Sequence, residues 1–367
     1  MNIGIPKEIK SGENRVSCTP AGVRHLVSSG HHVVVEAGAG INSGFGDEKY
    51  RRAGAVIAPS AKKVWESELV VKVKEPLAQE YGFFRRNLTL FTFLHLAGEP
   101  DLAAELIETG VTAIAYETVQ ENGRLPLLAP MSEIAGKMSV MMGGFYLSRH
   151  QGGEGKLLGG VPGVLPCRVV IFGGGSAGMH AAKVAAGLGA DVTVLEVSQD
   201  RMRFLESALP PQVHTLYSTE QHVEEQLETV DLLIGAVLVP GATAPKILKK
   251  EMLRTMKTGA VFVDISIDQG GCAETSRPTT HENPVFMEDN VLHYCVANMP
   301  SAYPQTSTEA LTGVTLAYIR RIADFGLESA MVMMPGLSMG LNIWNGAVTH
   351  EALARSLGKP YLENPFI

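Results

Sequence analysis

A glycine-rich turn between an apolar strand and a helix is the feature that most restricts the fold of this chain. Residues 169–178 read VVIFGGGSAG, so Gly173, Gly175 and Gly178 occupy the glycine positions of G-x-G-x-x-G directly after the strand. In such a turn the first glycine allows the sharp reversal, the second lets the backbone approach a pyrophosphate, and the third lets helix and strand pack closely. Glu196 ends the next strand, at about the 20-residue spacing of an acid that binds ribose hydroxyls. The pattern predicts a dinucleotide-binding domain, and the carboxylate favours NAD because it would repel the 2′-phosphate of NADP.

Short apolar segments alternate with helical patterns on both sides of this turn. The predicted strands are 2–5, 32–36, 69–73, 88–93, 111–115, 169–172, 192–196, 213–217, 232–235, 261–265 and 291–297. The predicted helices are one from Pro20 to near Gly30 capped by Thr19, then 100–109, 133–149 capped by Ser132, 177–188, 199–209, 247–256, 308–323 and one after Thr349. A turn region rich in Met and Gly is expected at 331–345. Such β-α-β alternation is typical of parallel sheets.

The length of 367 residues predicts two domains, at about 100–200 residues each. The final stretch is too short for a third α/β domain, so we place residues 305–367 back on residues 1–129. Residues 130–304 then form an inserted NAD-binding domain. The expected fold is α/β, with two Rossmann-like doubly wound domains, the NAD domain being inserted into a discontinuous substrate domain.

Composition excludes several classes of protein. The formal charge of −7 comes without a basic tract, so no nucleic-acid partner is expected. The four cysteines are far apart and form no C-x-x-C pair, which argues against a disulfide framework or a thiolate zinc site, and no metal is expected. Residues 1–10 lack the apolar core of a signal peptide, and the apolar run 232–239 is too short to span a bilayer. We therefore expect a soluble cytoplasmic protein without a membrane partner.

Further motifs are spread along the chain. They are GIPKE at 4–8, NRV at 14–16, TP at 19–20, VKVKEP at 71–76, FTFLHL at 91–96, APMSE at 129–133, VDISIDQGG at 263–271 and VANMP at 296–300. Together they closely resemble the NAD-dependent alanine dehydrogenase family over nearly the whole chain. The resemblance implies reversible oxidation of L-alanine to pyruvate and ammonium, with hydride transfer to NAD, by a two-domain subunit usually assembled as a homohexamer. Several motifs also occur in the soluble domain of proton-translocating transhydrogenase, so the fold alone does not decide the reaction.

The resemblance also implies roles for individual residues. Arg15 would fix the substrate carboxylate, Lys74 would be the catalytic lysine that also contacts substrate, and His95 the general acid/base. Asp268 would handle the amino group or the attacking water. The other residues expected at the cofactor site, beside the three glycines and Glu196, are Met131, Ser132, Ser176, Ala177, Arg201, Ser218, Val237, Leu238, Ile267, Asn298 and Met299, together with Asp268 itself. The sequence departs from the family at Glu196, where its members usually carry aspartate.

The residues alone leave other interpretations open. Lys74 and Arg15 could be exposed cations, and His95 could be an ordinary strand-end residue. Asp264 is a second candidate for the role given to Asp268. The alternative functions are the soluble subunit of a transhydrogenase, a dehydrogenase of another amino or keto acid such as an opine, and an NAD-sensing module. Lys74 and His95 count against the transhydrogenase subunit and against the NAD-sensing module, because neither of these proteins needs a polar substrate site.

Overall fold

The computed structural model describes residues 1–239 and 243–367. The chain forms two compact units, a first unit of Met1–Met131 with Ser301–Ile367 and a second unit of Ser132–Pro300. In the described part of the chain, no helix combines the length and the apolar character that crossing a membrane requires.

The strands, in chain order, are β1 (Asn2–Ile5), β2 (His32–Glu36), β3 (Val56–Ala58), β4 (Leu69–Val71), β5 (Thr89–Thr92), β6 (Thr112–Ala115), β7 (Arg168–Phe172), β8 (Asp191–Glu196), β9 (Val213–Tyr217), β10 (Leu232–Gly235), β11 (Val261–Asp264), β12 (Val285–Glu288), β13 (Val291–Tyr294), β14 (Leu341–Trp344) and β15 (Ala347–Val348). The α-helices are α1 (Pro20–Ser28), α2 (Asp47–Arg52), α3 (Ala61–Trp65), α4 (Pro100–Thr109), α5 (Ala129–Tyr146), α6 (Ser176–Gly187), α7 (Gln199–Ala208), α8 (Glu220–Leu227), α9 (Pro304–Phe325), α10 (Leu327–Met333), α11 (Pro335–Met339) and α12 (Glu351–Leu357). Short 3₁₀ helices span Ile41–Ser43, Ala78–Phe83, Tyr116–Thr118, Arg149–Gln151, Lys250–Thr255, Ile265–Gln269 and Met299–Ala302.

The first unit is built on a sheet of order β15-β14-β6-β5-β4-β1-β2-β3. Strands β1 to β6 are parallel, whereas β14 and β15 pair antiparallel at one edge. Every residue of the central strand β4 is buried, as expected for a parallel sheet covered on both faces. After β1, the chain places β2 and β3 on one side of it and then returns to place β4 on its other side. This reversal between β1 and β4 is the switch point at which doubly wound sheets bind ligands.

The sheet of the second unit has the same kind of strand topology, with the order β12-β13-β11-β10-β7-β8-β9. Its strands are parallel except for β12, which pairs antiparallel with β13. Its switch point lies between β7 and β10. The small buried side chains of Ala181, Ala182 and Ala185 allow α6 to pack closely on this sheet. The predicted α/β class with two mainly parallel sheets is therefore confirmed.

Two predicted helices need correction. Helix α5 begins at Ala129, so Ser132 lies inside it and is not its N-cap; Pro130 occupies the first turn, where its missing N–H costs little. The predicted helix 247–256 is wrong, because only Lys250–Thr255 is helical and as a 3₁₀ turn. The N–H groups of Ile247 and Leu248 both donate to the carbonyl of Cys272, and Leu248 forms a parallel β-bridge with Ala273, so the backbone is extended where the helix was predicted to begin.

The expectation of a plain turn region at 331–345 is also wrong. This stretch contains the end of α10, the helix α11 and the strand β14, which pairs with β6 through Ile343 and Ala113. The distant partner strand, rather than local propensity, makes this Met- and Gly-containing segment extended. The short elements β3, α2, α3, α8 and β12 were not among the predicted ones.

Candidate active site

Polar side chains follow four neighbouring parallel strands of the first unit. Glu8, Glu13 and Arg15 follow β1, Lys74 and Glu75 follow β4, His95 follows β5, and Glu117 follows β6. Because these strands are adjacent and parallel, their carboxyl ends lie at one edge of the sheet. That edge includes the switch point between β1 and β4, which is where ligands bind in such sheets.

Arg15 is buried, with 2% of its surface exposed. Its Nε donates to Glu13 Oε1 at 2.7 Å and its Nη2 donates to Glu13 Oε2 at 2.6 Å, while Nη1 lies 3.0 Å from the sulfur of Met131. The two-point contact with Glu13 fixes the plane of the guanidinium group. The interpretation of Arg15 as an exposed loop cation is therefore wrong.

Lys74 is also buried, with 6% of its surface exposed, so it is not a surface cation either. Its Nζ lies 3.8 Å from Glu75 Oε2, and Glu75 Oε1 accepts a hydrogen bond from Lys10. Burial alone would raise the pKa of Glu75, but Lys74 and Lys10 outweigh it and hold that pKa below its ordinary value. Glu75 is thus a buried carboxylate that balances the charge of Lys74.

A buried ion cluster lies beside Lys74. The Nζ of Lys72 is 3.1 Å from Glu8 Oε2 and 2.9 Å from Glu80 Oε1, and Lys72 is fully buried. Burial raises the pKa of Glu8 to about 7, although Lys72 opposes this shift. Burial would lower the pKa of Lys72, but Glu8 and Glu80 outweigh it and raise that pKa. Glu8 Oε1 also accepts the N–H of Val73 at 2.6 Å, which ties the cluster to the strand that presents Lys74.

His95 adopts an unusual backbone conformation, with φ at +49°. Its N–H donates to Glu117 Oε1 at 2.6 Å, and its Nδ1 lies 4.0 Å from the same oxygen. The imidazole stacks on Phe93, with ring centroids 6.0 Å apart and planes 5° apart. About a third of the side chain remains exposed. The ring is held in place yet accessible, as proton transfer to a bound molecule requires.

Sequence reasoning assigned no role to the acids of this edge. Glu8, Glu13, Glu75, Glu80 and Glu117 are the partners of the cations and of the strand ends described above. One signal pointed to them: Lys72 stands between Val71 and Val73, and a charge inside an apolar strand needs a buried partner. The sequence does not reveal which carboxylate supplies it.

The second unit presents the glycine-rich turn after β7. Gly173 has a φ of +89°, and a Cβ there would lie 2.6 Å from the carbonyl oxygen of Ala236. A Cβ at Gly178 would lie 1.9 Å from the oxygen of Gly173, so helix and strand meet too closely for any side chain. A Cβ at Gly175 would meet open space, directly before the N-terminus of α6, where no side chain caps the helix. Open space before free helical N–H groups fits a pyrophosphate.

Glu196 and Arg201 both contact this turn. The Glu196 carboxylate accepts the N–H groups of Gly174 at 2.8 Å, Val197 at 2.8 Å and Ser198 at 3.0 Å. The Arg201 guanidinium donates to the carbonyl oxygens of Gly174 and Gly175 and lies 4.6 Å from the ring of Phe204. Both side chains therefore brace the turn, and Arg201 is held against it rather than extended into solvent.

Asp264 and Asp268 have different surroundings. Asp264 is buried, and its carboxylate accepts hydrogen bonds from the N–H groups of Ser266 and Cys272 at 2.9 Å each and from the Ser276 hydroxyl. Burial raises its pKa, against these hydrogen bonds. Asp268 is exposed, and its Oδ1 accepts the N–H of Asn298 at 3.2 Å. Asp264 shapes its loop, whereas Asp268 is accessible for chemistry.

The other residues predicted for the cofactor lie mostly beyond the carboxyl ends of the second sheet. Ser176 and Ala177 begin α6, Ser218 follows β9, Val237 and Leu238 follow β10, Ile267 follows β11, and Asn298 and Met299 follow β13. The Ser218 N–H donates to the carbonyl of Glu196 at 3.0 Å, and the Val237 N–H donates to Ser266 Oγ at 2.9 Å. Met131 belongs to the first unit, where it contacts Arg15, and Ser132 is the first residue of the second unit.

Comparisons with known proteins cover nearly the whole chain. The family model described as "Alanine dehydrogenase/PNT, N-terminal domain" matches residues 4–135, and "Alanine dehydrogenase/PNT, C-terminal domain" matches residues 139–351. The alanine dehydrogenase of Bacillus subtilis is 53% identical over 99% of this chain and 96% of its own length. That of Methanococcus maripaludis is 50% identical over 98% of each chain.

Solved structures agree with this similarity. An L-alanine dehydrogenase superposes with a TM-score of 0.93 at 48% identity, covering 98% of this chain and 99% of the other. A transhydrogenase from Sinorhizobium meliloti superposes with a TM-score of 0.80 at 23% identity, covering 96% of this chain and 100% of the other, a likeness of fold alone.

Proposed function

The chain belongs to the alanine dehydrogenase/PNT family, and we propose that it catalyses the reversible NAD-dependent oxidative deamination of L-alanine to pyruvate and ammonium. One observation carries the proposal beyond family membership. Two buried cations, Arg15 and Lys74, stand with an accessible histidine, His95, beyond adjacent strands at the switch point of the first unit. A module that only binds a dinucleotide has no need of such a set.

We assign substrate binding to the first unit, with residues 1–129 and 305–367 as its predicted extent. Arg15 binds the substrate carboxylate through charge-assisted hydrogen bonds, and Glu13 keeps its guanidinium plane fixed. Lys74 donates to the carbonyl oxygen of pyruvate, and Glu75 supplies the counter-charge for this buried lysine. A small 2-oxo acid offers the one carboxylate and one carbonyl that these two cations bind.

The reaction also requires proton transfers, which we assign to His95 and Asp268. Water must lose a proton when it attacks the imine of alanine, and the amine must gain one when it leaves the carbinolamine. A histidine is suited to both steps near neutral pH. His95 is accessible and fixed by Glu117, as this exchange requires. Asp268, an exposed carboxylate, handles the amino group or the attacking water, as the family resemblance implies.

We assign NAD to the second unit, with residues 130–304 as its predicted extent. The open space at Gly175 and the uncapped N-terminus of α6 support a pyrophosphate site, and Glu196 supports binding of an unphosphorylated ribose. When bound, NAD supplies the two-electron oxidant for the Cα–H bond of alanine. Arg201 supports the site by holding the carbonyls of Gly174 and Gly175.

The test is an assay of NADH oxidation with pyruvate and ammonium together, with pyruvate alone, and with 2-oxobutyrate and ammonium. We expect turnover that requires ammonium and is fastest with pyruvate. Equal turnover without ammonium indicates a 2-hydroxy-acid dehydrogenase instead, and preference for a larger 2-oxo acid removes the assignment to alanine. No turnover with any of them contradicts the proposal.

By family resemblance we further propose that the protein is cytoplasmic and forms a homohexamer acting on small molecules, without nucleic-acid or membrane partners. Light scattering on the purified protein measures its mass directly. A mass of six chains supports the hexamer, and a monomer contradicts it.

A further inference from the structure

The backbone at His95 is held in a conformation that side-chain-bearing residues rarely adopt. Its φ of +49° lies in the left-handed region, which disfavours residues with a Cβ. Strand β5 ends at Thr92, three residues earlier, so the regular sheet pairing does not impose this conformation. Such outliers persist where surrounding contacts determine them, and they gather at functional sites.

The contacts that determine it come from Glu117, in the 3₁₀ turn after the neighbouring strand β6. Glu117 Oε1 accepts the N–H of His95 at 2.6 Å, and both carboxylate oxygens lie 3.2 Å from the N–H of Leu94. On the other side, the carbonyl of His95 accepts the N–H of Gly98 at 2.8 Å. The peptide groups on both sides of His95 are therefore fixed, and with them the direction of its Cα–Cβ bond.

Glu117 acts on the backbone and not on the ring. Its Oε1 is 4.0 Å from His95 Nδ1, too far for a hydrogen bond. This arrangement differs from a catalytic triad, in which the carboxylate bonds to the imidazole itself. The main task of the carboxylate is thus to accept N–H groups, which a neutral amide oxygen can do in part.

A similar contact, between a carboxylate and backbone N–H groups, occurs at Lys74. Glu8, which follows β1, accepts the N–H of Val73 at 2.6 Å and lies 3.5 Å from the N–H of Lys74. In both places a carboxylate beyond one strand accepts N–H groups just past the end of the adjacent strand, where a proposed catalytic side chain is attached. The repetition indicates a construction specific to this edge of the sheet.

We propose that Glu117 is a positioning residue, which holds His95 in its reactive orientation by accepting the N–H groups of Leu94 and His95. The proposal rests on the proposed function, because it concerns how His95 serves that reaction. It places no new group in contact with substrate.

The experiment compares Glu117→Ala, Glu117→Gln and the control Glu108→Ala, which removes an exposed glutamate from α4 of the same unit. For Glu117→Ala we expect kcat with pyruvate and ammonium to fall at least about 10-fold, with KM for pyruvate changed less than about 3-fold, because Arg15 and Lys74 still bind the substrate. Glu117→Gln retains one acceptor oxygen, so its loss of log kcat should be at most half of the loss in Glu117→Ala. A raised KM with unchanged kcat overturns the proposal.

A double-mutant cycle separates positioning from a general structural role. If Glu117 acts through His95, Glu117→Ala should lower kcat less than about 2-fold in the His95→Ala background. The same fold loss in both backgrounds overturns the proposal, because a structural defect would act whether or not the imidazole is present.

Hydrogen exchange of the peptide spanning residues 93–98 gives a readout that does not depend on activity. The amides of Leu94 and His95 should exchange at least about 10-fold faster in Glu117→Ala than in the unmutated protein. In Glu108→Ala their exchange rates should not change. If the unmutated protein shows no ammonium-dependent turnover, the proposed function fails, and exchange still decides whether Glu117 holds this backbone. Unchanged exchange in Glu117→Ala overturns the proposal.

Discussion

Replacement of Lys72 by methionine should destabilise the first unit strongly and in a pH-dependent way. Lys72 is fully buried, and its Nζ lies between Glu8 Oε2 at 3.1 Å and Glu80 Oε1 at 2.9 Å. Methionine fills a similar volume but carries no charge. The substitution therefore leaves two carboxyl groups buried without the cation that both contact.

The magnitude follows from the cost of leaving those carboxyls unpaired. Removing one partner of a buried ion pair costs about 3–5 kcal/mol. The alternative is to protonate Glu8. In the unmutated protein Glu8 already binds a proton below a pKa of about 7, so for this group the substitution adds about 1.4 kcal/mol at pH 8 and little at pH 5.5, since one pH unit is worth about 1.36 kcal/mol. Glu80 loses its buried partner at both values of pH. We expect a loss of about 3–5 kcal/mol at pH 8 and about 1 kcal/mol less at pH 5.5.

The sign of the pH effect follows from proton linkage. Burial already raises the pKa of Glu8 to about 7, against the pull of Lys72, and loss of Lys72 raises it further. Above pH 4.5 the folded variant then binds protons that the unfolded chain has released, so its stability falls as pH rises, until the pH passes the raised pKa.

Urea unfolding followed by tryptophan fluorescence measures this loss. The two tryptophans, Trp65 and Trp344, both belong to the first unit, so the signal reports on that unit. The matched control is Lys63→Met, which removes an exposed lysine paired with Glu66 at 2.6 Å and should cost about 0–1 kcal/mol. A loss below about 1 kcal/mol for Lys72→Met at pH 8, or equal losses at pH 5.5 and pH 8, would refute the reasoning.

Three further predictions concern activity. Lys74→Ala and His95→Ala should each lower kcat/KM at least about 100-fold while the dissociation constant for NADH stays nearly unchanged; a parallel loss of NADH binding contradicts this division of labour. Arg15→Lys keeps the charge but loses the fork that Glu13 orients, so KM for pyruvate and for alanine should rise at least about 10-fold, and unchanged KM values contradict the assignment. The unmutated enzyme should prefer NAD to NADP at least about 10-fold in kcat/KM, and Glu196→Ala should narrow that gap; equal use of both cofactors by the unmutated enzyme refutes the role of Glu196.

Local patterns were sufficient to predict the main elements of the sheets. Helix α1 begins at Pro20 with Thr19 as its cap, whose hydroxyl oxygen accepts the N–H of Gly22 at 3.2 Å, as expected from these residue types. Strands β1, β2, β9 and β10 and helix α4 have the predicted bounds. Each of these elements has a residue pattern that can be recognised from the local sequence.

Elements that depend on distant partners could not be predicted in this way. Strand β14 is extended because it pairs with β6, more than two hundred residues earlier. Leu248 forms a β-bridge with Ala273, so the backbone there is extended where the local sequence favours a helix. A local pattern holds no information on partners that become neighbours only when the chain has folded.

The candidate site shows the same limit at the scale of single side chains. From the residues alone, Arg15 and Lys74 could be exposed cations, and only the family resemblance gives them roles; the structure buries both. The acids that hold them in place, such as Glu13 and Glu75, received no role. Their significance depends on strand order, which brings the ends of β1 and β4 together.

Lys72 and Lys74 show how position along one strand decides what a lysine can do. The pairing of the sheet continues past β4, since the Lys72 N–H donates to the carbonyl of Phe91 and the Phe93 N–H to the carbonyl of Val73. The two lysines are two residues apart, so they share a face of this extended segment. Lys72 lies between two carboxylates at 3.1 and 2.9 Å, and its donors are committed to holding the fold. Lys74, one step nearer the carboxyl edge, is 3.8 Å from Glu75, a distance that supports its charge without engaging it in a short hydrogen bond. A lysine that must donate to a substrate oxygen needs this looser pairing, and therefore Lys74 rather than Lys72 is the one that the geometry suits for substrate.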